Sequence, residues 1–353
     1  MSSDDILIRV DGRVGRLTMH RPAALNALTY PMVGALRAAL QLWADDPAIA
    51  LVILDGAGGR ALCAGGDVLS LYNAHANGPA FARAFWAEEY QLNALISRYP
   101  KPFVAIMDGI VMGGGIGLSG HASHRIVTEK SMLAMPETSI GLIPDVGGTW
   151  LLAQASGQLG TYLGLTGARM SAADAIAVDM ADVCVPVAAL ADLVRDLGGT
   201  DVDDIDAELF KRASDPGAAK LRDHRAEIDA AFAHDRVEDI ISALEANPTD
   251  FATRTLRDLA SKSPKALKLT LAALRFARQQ TSLEACLNME YRLVTRLYED
   301  GEFIEGVRAL LVDKDKAPKW QPPKLADVSD AMVLRYLAPL PPGEELGLTA
   351  PSI

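Results

Sequence analysis

No apolar run in this chain reaches the roughly 20 residues that a membrane-spanning helix requires, so a bilayer is not an expected partner. Cysteine is scarce. Cys63, Cys184 and Cys286 are odd in number, far apart and without a CxxC pair, which argues against a disulfide framework and fits a reducing compartment. Histidine is sparse too, and His20, His75, His121, His124, His224 and His234 show no ligand spacing, so no metal is expected. Basic charge is outweighed: 34 Lys and Arg against 45 Asp and Glu leave −11, spread rather than clustered, which argues against nucleic acid or an anionic membrane as the main partner. The acidic start, MSSDD, carries neither a secretory nor an import signal, and a cytoplasmic location is expected. Solenoid repeats and low-complexity tracts are also missing.

What is present is a chain of 353 residues, half of them apolar, enough for one large domain or a domain with an appendage. Ile6, Ile8 and Val10, the turn Asp11-Gly12, and then Val14, Leu17 and Met19 predict a hairpin. Thr29 is placed to cap a helix with Pro31 in its first turn and Leu36, Leu40 and Trp43 on its buried stripe. Ile49 to Leu54 reads as a strand leading into a glycine-bearing loop over 55–67. Phe81, Phe85, Trp86 and Leu92 predict a helix over 80–98, ended by Pro100 and Pro102. From about Val187 the pattern is helical. Leu267, Leu271 and Leu274 share one face, Thr281 with Glu284 forms a capping-box pattern ahead of Leu283, Leu287, Val294 and Leu297, and the last residues, rich in proline, are expected to wrap the surface. Interleaved strands and helices followed by helices predict an α/β chain with a helical C-terminal region.

Residues 103–149 are the stretch around which the rest is organised. Phe103 to Met107 reads as a strand, Asp108-Gly109 as a turn, and Gly113, Gly114 and Gly115 as the opening of a helix. Arg125 to Thr128 reads as a further strand, and Thr149 to Ala155 as a helix. Two loops, Cys63 to Asp67 and Met112 to Gly117, each follow a strand and each offer backbone N–H groups with no side chain in the way. Two such donors make an oxyanion hole, aimed in advance at a carbonyl oxygen that gains charge in the transition state. Glu137 follows Pro136, and Asp145 follows Pro144 eight positions later, so either acid is available for proton transfer or nucleophilic attack. The bland readings are a solvated loop acid for Glu137 and a helix N-cap for Asp145.

Other signals weigh less. Gly115 to Gly120 matches GxGxxG and taken alone suggests a dinucleotide-binding oxidoreductase, but it lies over a hundred residues into the chain, and the next strand carries no acid for a ribose hydroxyl. Cys63 reads as a small buried thiol rather than a nucleophile, and Asp67 as a cap. Glu89 stands on an aromatic-rich helix, either as a buried carboxylate with a purpose or as a surface charge beside Glu88.

Four stretches taken together resemble the crotonase (enoyl-CoA hydratase/isomerase) superfamily: NAL at 26–28, ALCAGGD at 61–67, DGIVMGGGIG at 108–117 and MPETSIGLIPDVGG at 135–148. Within it they look most like the 3-hydroxyisobutyryl-CoA hydrolases, and the likeness continues to GEFIEGVRALLVDKDKAPKW at 301–320. The resemblance implies a spiral of ββα turns over residues 1–200 and a helical region over 201–353 that covers the acyl site. The substrate it implies is a coenzyme A thioester. By position, Gly66 and Gly114 match the residues whose N–H groups bind the thioester oxygen, and Glu137 matches the principal carboxylate. Asp145 stands where hydratases usually have glycine and the hydrolases aspartate. Glu89 matches a hydrolase position that reaches the acyl group. Gly117 occupies the place of the second glutamate that hydratases carry, which puts hydration in doubt.

The expected activity is hydrolysis of a short branched 3-hydroxyacyl-CoA, 3-hydroxyisobutyryl-CoA of valine breakdown first among them. An enoyl-CoA hydratase or isomerase is the alternative, and the dinucleotide oxidoreductase a remote one. No cofactor is expected, since coenzyme A arrives with the substrate. A homo-oligomer stays open: the superfamily often forms trimers, but the longer C-terminal region could cover the surface they use.

Overall fold

A computed structural model of the protein describes residues 4–350. The first three residues of the acidic start therefore lie outside the described residues. Two compact units are present. One comprises the chain up to Asp67, Gln91–Ala134 and Arg169–Lys220; the other comprises Val68–Tyr90, Met135–Ala168 and the chain from Leu221 onward. The units are interleaved along the sequence, so this division differs from the single boundary after residue 200 that the resemblance implies.

The first unit is built on nine strands: β1 (Ile6–Asp11), β2 (Val14–Met19), β3 (Leu51–Gly56), β4 (Ala61–Cys63), β5 (Phe103–Met107), β6 (Ile110–Met112), β7 (His124–Val127), β8 (Met132–Ala134) and β9 (Val183–Cys184). β1 and β2 form the expected hairpin, with Ile6 opposite Met19. The remaining pairs are parallel, and the sheets order as β1-β2-β3-β5-β7-β9 and β4-β6-β8. From β3 onward the chain thus lays one strand in the large sheet and the next in the small one. That is the ββα spiral.

Leu51 to Leu54 of β3 and the whole of β5 are uninterrupted apolar runs because a parallel sheet is covered on both faces. On one face Leu51, Ile53, Val104, Ile106 and Ile126 pack with Leu193, Leu197 and Ile205. The hydroxyl of Thr29 accepts from the Met32 N–H at the start of the helix Tyr30–Ala44, which seats Trp43 against Gly15, where an added Cβ would lie 2.5 Å from the indole. Reaching ~25 cal/mol per Å² for apolar area removed from water, these buried faces are what hold the sheet together.

The second unit is helical. The longest helices wholly within it are Pro264–Ala277, capped by Ser263, and Leu283–Glu299. The cap of the latter is Ser282, whose hydroxyl accepts from Ala285 N at 3.3 Å, not Thr281 as expected. A helix starts after the residue whose backbone is extended, and Ser282, at φ −143° and ψ 145°, is that residue. Trp86, Tyr298 and Phe303 pack edge-on or tilted into one aromatic cluster. Near the C-terminus, the helix Asp330–Leu337 buries Tyr336, so this segment is tied down rather than only wrapped over the surface.

Candidate active site

In the first unit, β4 and β6 are parallel neighbours, with Ala61 paired to Ile110 and Cys63 to Val111. Loops leaving the ends of two adjacent parallel strands emerge on the same side. Gly66 lies three residues beyond β4 and Gly114 two beyond β6, so the pairing brings together the two loops singled out in the sequence. Their contact is close. A Cβ at Gly115 would lie 2.2 Å from the Cys63 carbonyl oxygen, and one at Gly65 would meet the Met112 oxygen at 3.5 Å. Gly113, at φ 48° and ψ −120°, occupies backbone space closed to side-chain-bearing residues and turns the chain out of β6 into the helix Gly114–Ser119.

The loop donors near these turns are otherwise engaged. Leu28 N donates to Gly65 O at 2.9 Å, Asp67 N to Leu28 O at 2.8 Å and Gly113 N to Ala134 O at 3.4 Å. Among the described residues the N–H groups of Gly66 and Gly114 have no such partner. Two unused donors on touching loops have the chemistry of an oxyanion hole.

The GxGxxG motif at Gly115 to Gly120 falls inside the buried helix and its end rather than in a strand-to-helix loop. Gly115 serves close packing against Cys63. Cys63 is a fully buried thiol, its Sγ 3.4 Å from Gly65 O. Asp67 precedes the helix Val68–Ala74 and pairs with Arg21 at 3.2 Å.

In the second unit the acids gather. Glu137 opens a short 3-10 turn, Glu137–Ile140, which ends at Gly141 in left-handed conformation. The helix Glu302–Val307 presses on this turn: a Cβ on Gly141 would lie 2.5 Å from Glu302 O, and one on Gly306 would lie 2.4 Å from Ile140. This packing leaves Glu137 only 6% exposed. Glu89 is 2% exposed on its helix, and Asp145 is 6% exposed. The solvated-acid reading of Glu137 and the surface-charge reading of Glu89 are therefore both overturned. Asp145 is not a side-chain cap either, because Gly147 holds the N-cap place of the helix Gly148–Gln154. Its carboxylate instead accepts a 2.6 Å hydrogen bond from the Tyr90 hydroxyl.

Burial sets the electrostatics. It pushes Glu89 well above the usual carboxylate range, helped by the charge of Asp145. It does the same to Glu137, with Asp145 the next largest cause. Asp145 itself rises only to about 6, because the Tyr90 hydroxyl and a backbone donor favour its charged form. Glu89 Oε1 and Glu137 Oε2 are buried with no hydrogen-bond partner. Such an atom costs about 1–3 kcal/mol, a cost tolerated where a ligand supplies the missing partner. A cluster of buried acids with perturbed and unequal values is the signature of acid–base or nucleophilic chemistry.

Two residues of this cluster went unread in the sequence. Tyr90 adjoins Glu89 and was not singled out. Glu290 is fully buried on the helix Leu283–Glu299, where it accepts from Gly147 N at 2.8 Å and Thr149 N at 3.0 Å, and from the Thr149 hydroxyl. The one available signal was an acid inside the apolar stripe of Leu287, Leu293 and Val294. Burial raises it to about 8. Among the described residues no group of three or more His, Cys, Asp or Glu side chains could hold a metal ion, and no helix is long and apolar enough to cross a membrane.

The enoyl-CoA hydratase/isomerase family model matches residues 14–337. The chain is 38% identical over 347 residues to the 3-hydroxyisobutyryl-CoA hydrolase, mitochondrial, of Gallus gallus, covering 96% of this chain and 90% of that one. It is 40% identical to the Xenopus laevis protein of the same name, covering 92% and 86%. Among solved structures it is similar to a carnitinyl-CoA dehydratase from Mycobacterium thermoresistibile, with 45% identity, a TM-score of 0.92 and 98% of each chain covered. An enoyl-CoA hydratase from Rhodobacter sphaeroides 2.4.1 matches at 43% identity, again with a TM-score of 0.92, over 98% of this chain and 100% of that one. With the ββα spiral, the paired glycine loops and the buried acids already in place, these matches leave one assignment: the chain belongs to the enoyl-CoA hydratase/isomerase family.

Proposed function

We propose that this chain hydrolyses 3-hydroxyisobutyryl-CoA to 3-hydroxyisobutyrate and coenzyme A, the reaction of valine breakdown for which its hydrolase relatives are named. The observation that carries this reading is Asp145, a buried carboxylate held by Tyr90 beside Glu137, at the position where the resemblance puts glycine in hydratases. A carboxylate there can hold or deliver a proton at a breaking C–S bond.

On this reading the Gly66 and Gly114 N–H groups take the thioester oxygen as it becomes an oxyanion. Glu137 either attacks the carbonyl carbon, expelling the thiolate and leaving a mixed anhydride that water opens, or acts as base for water directly. Both routes sum to thioester plus water giving acid plus thiol, so the reaction balances without a redox partner and no cofactor beyond the substrate's own coenzyme A is proposed. Asp145 orients Glu137 or the water and passes a proton to the leaving thiolate. Glu89, whose Oε1 lacks a partner, accepts the hydrogen of the substrate's hydroxyl and so selects hydroxylated acyl groups. A cytoplasmic location and a homo-oligomeric assembly remain part of the proposal, the first tested by imaging a tagged chain against the mitochondrial location in the relatives' names, the second by light scattering.

The experiment is thiol release from 3-hydroxyisobutyryl-CoA by wild type, Glu137→Gln and Asp145→Gly, with crotonyl-CoA for comparison. Release by wild type and its loss in both variants supports the hydrolase. Loss of crotonyl absorbance with no thiol would instead establish a hydratase, the reading that the names of those two solved proteins favour. Single-turnover hydrolysis in oxygen-18 water separates the two routes, since only the anhydride route leaves label in Glu137.

A further inference from the structure

Asp145 sits on a turn that does not hold its own shape. Val146, the next residue, has φ 54°, in the left-handed region that a β-branched side chain avoids because of its clash with the neighbouring carbonyl. Gly147 follows at φ 77° and serves as N-cap of the helix Gly148–Gln154, yet it has no side chain with which to cap it. The first N–H groups of a helix have no partner within it. A strained valine and an uncapped helix start, both directly after the candidate acid, require something outside the turn to fix them.

That support comes from Glu290. Its Oε2 accepts from Gly147 N at 2.8 Å; its Oε1 accepts from Thr149 N at 3.0 Å and from the Thr149 hydroxyl. Gly148 N in turn donates to the Asp145 carbonyl at 2.6 Å, which ties the clamped segment back to Asp145. On its far side the Asp145 side chain is held by Tyr90 at 2.6 Å. Glu290 is fully buried and all three of its donors lie within four residues of Asp145, so its carboxylate is spent on the turn rather than presented to a ligand.

We infer that Glu290 is a positioning residue for the reaction: by clamping Gly147 and Thr149 it keeps Val146 in its strained conformation and so keeps the Asp145 carboxylate against Tyr90. This inference rests on the hydrolase reading for its kinetic consequence, but its structural consequence stands apart. Both oxygens of the carboxyl group act as acceptors here. An amide has one acceptor oxygen and must turn its NH₂ toward an N–H donor, so Glu290→Gln loses at least one bond and gains a repulsion while keeping shape and volume.

The test is a double-mutant cycle of Glu290→Gln with Asp145→Asn, read by thiol release, together with the crystal structure of Glu290→Gln. Misplacing a reacting group by about 1 Å costs on the order of 100-fold, so Glu290→Gln is expected to lower kcat by about 10- to 100-fold and change KM by less than about threefold. In the Asp145→Asn background the same substitution is expected to cost almost nothing, because residues that act through one group do not add. The crystal structure is expected to show Val146 relaxed to negative φ and Asp145 moved off Tyr90. Should Glu290→Gln not fold, Thr149→Val, which removes one of the three donors, carries the same cycle with a smaller kcat loss. Effects that multiply in the double variant, or a Glu290→Gln structure with the turn unchanged, would overturn the inference. Absence of thiol release by wild type would refute the hydrolase reading instead, leaving the crystal structure to decide the role of Glu290.

Discussion

Gly115→Ala is the most direct test of the paired glycine loops. The added Cβ would lie 2.2 Å from the Cys63 carbonyl oxygen and 3.1 Å from its carbon, both backbone atoms that cannot rotate away. Ordinary contact begins near 3.4 Å, so the two loops must separate by roughly 1 Å, and overpacking of this kind costs about 1–3 kcal/mol of stability. The movement falls on the segments that carry Gly114, one residue before the substitution, and Gly66, three residues after Cys63. Donors that serve an oxyanion must lie about 3 Å from it, and loss of one costs on the order of 100- to 1,000-fold in kcat. Since these N–H groups act mainly in the transition state, kcat is expected to fall by about 100-fold while KM changes little. The assay is thiol release at saturating and limiting substrate, with a thermal melt to confirm that the variant is folded. A folded Gly115→Ala within threefold of wild type would refute the oxyanion role of these loops, because no backbone arrangement of the present kind accommodates that methyl group.

The acids make a prediction about pH. The charge of Asp145 raises Glu137, so Asp145→Asn should lower the Glu137 value, and the acid limb of kcat/KM for residual thiol release should move to lower pH; a limb that stays or moves up would contradict the coupling. Away from the site, Lys265 is buried between Asp300 at 2.6 Å and Glu302 at 3.1 Å. Lys265→Met leaves two carboxylates without their cation and is expected to cost about 3–5 kcal/mol near neutral pH. Burial already raises both acids and the lysine opposes it. Without Lys265 their folded values rise further, so stability is lost as pH rises through them and returns in acid; denaturant midpoints at acid and neutral pH measure this.

Much of the scaffold was legible because its signals are long. The hairpin, the Thr29-capped helix, β3 and β5 each combine a turn or cap with an apolar pattern several residues long. β4, β6 and β8, three residues apiece, are too short to show a period, and what defines them is pairing with strands far along the chain. Yet β4 and β6 are what bring the Gly66 and Gly114 loops together, so the glycines were readable before their relation was. Ser282 and Thr281 show a finer limit: both can cap, and only the backbone angles choose. Glu137 could be named but its burial could not, because the cover comes from the helix Glu302–Val307. Glu290 was harder still. An acid in an apolar stripe is as consistent with an ion pair as with a clamp, and its partners are main-chain N–H groups that carry no sequence signature.

The distribution of acids bears on which reaction this family member performs. Position 117, where the resemblance places a hydratase's second glutamate, is a buried glycine in the helix Gly114–Ser119 and offers no group for water. The carboxylates Glu89, Glu137, Asp145 and Glu290 lie instead in one buried cluster, in which the charge of Asp145 helps to raise Glu137. A cluster of carboxylates suits thioester hydrolysis on the proposed route: one attacks the carbonyl carbon or takes a proton from water, and a neighbour passes a proton to the departing thiolate. Hydration of a double bond asks for something different, two acids placed around one water so that oxygen and hydrogen are added to neighbouring carbons. The identity to a solved hydratase and a solved dehydratase is high. It reports a shared fold, whereas the choice of reaction follows from where the acids are. Gly117→Glu together with Asp145→Gly should therefore diminish thiol release before it creates any crotonyl-CoA hydration, since the first change adds a buried acid and the second removes the carboxyl group that serves the leaving thiolate.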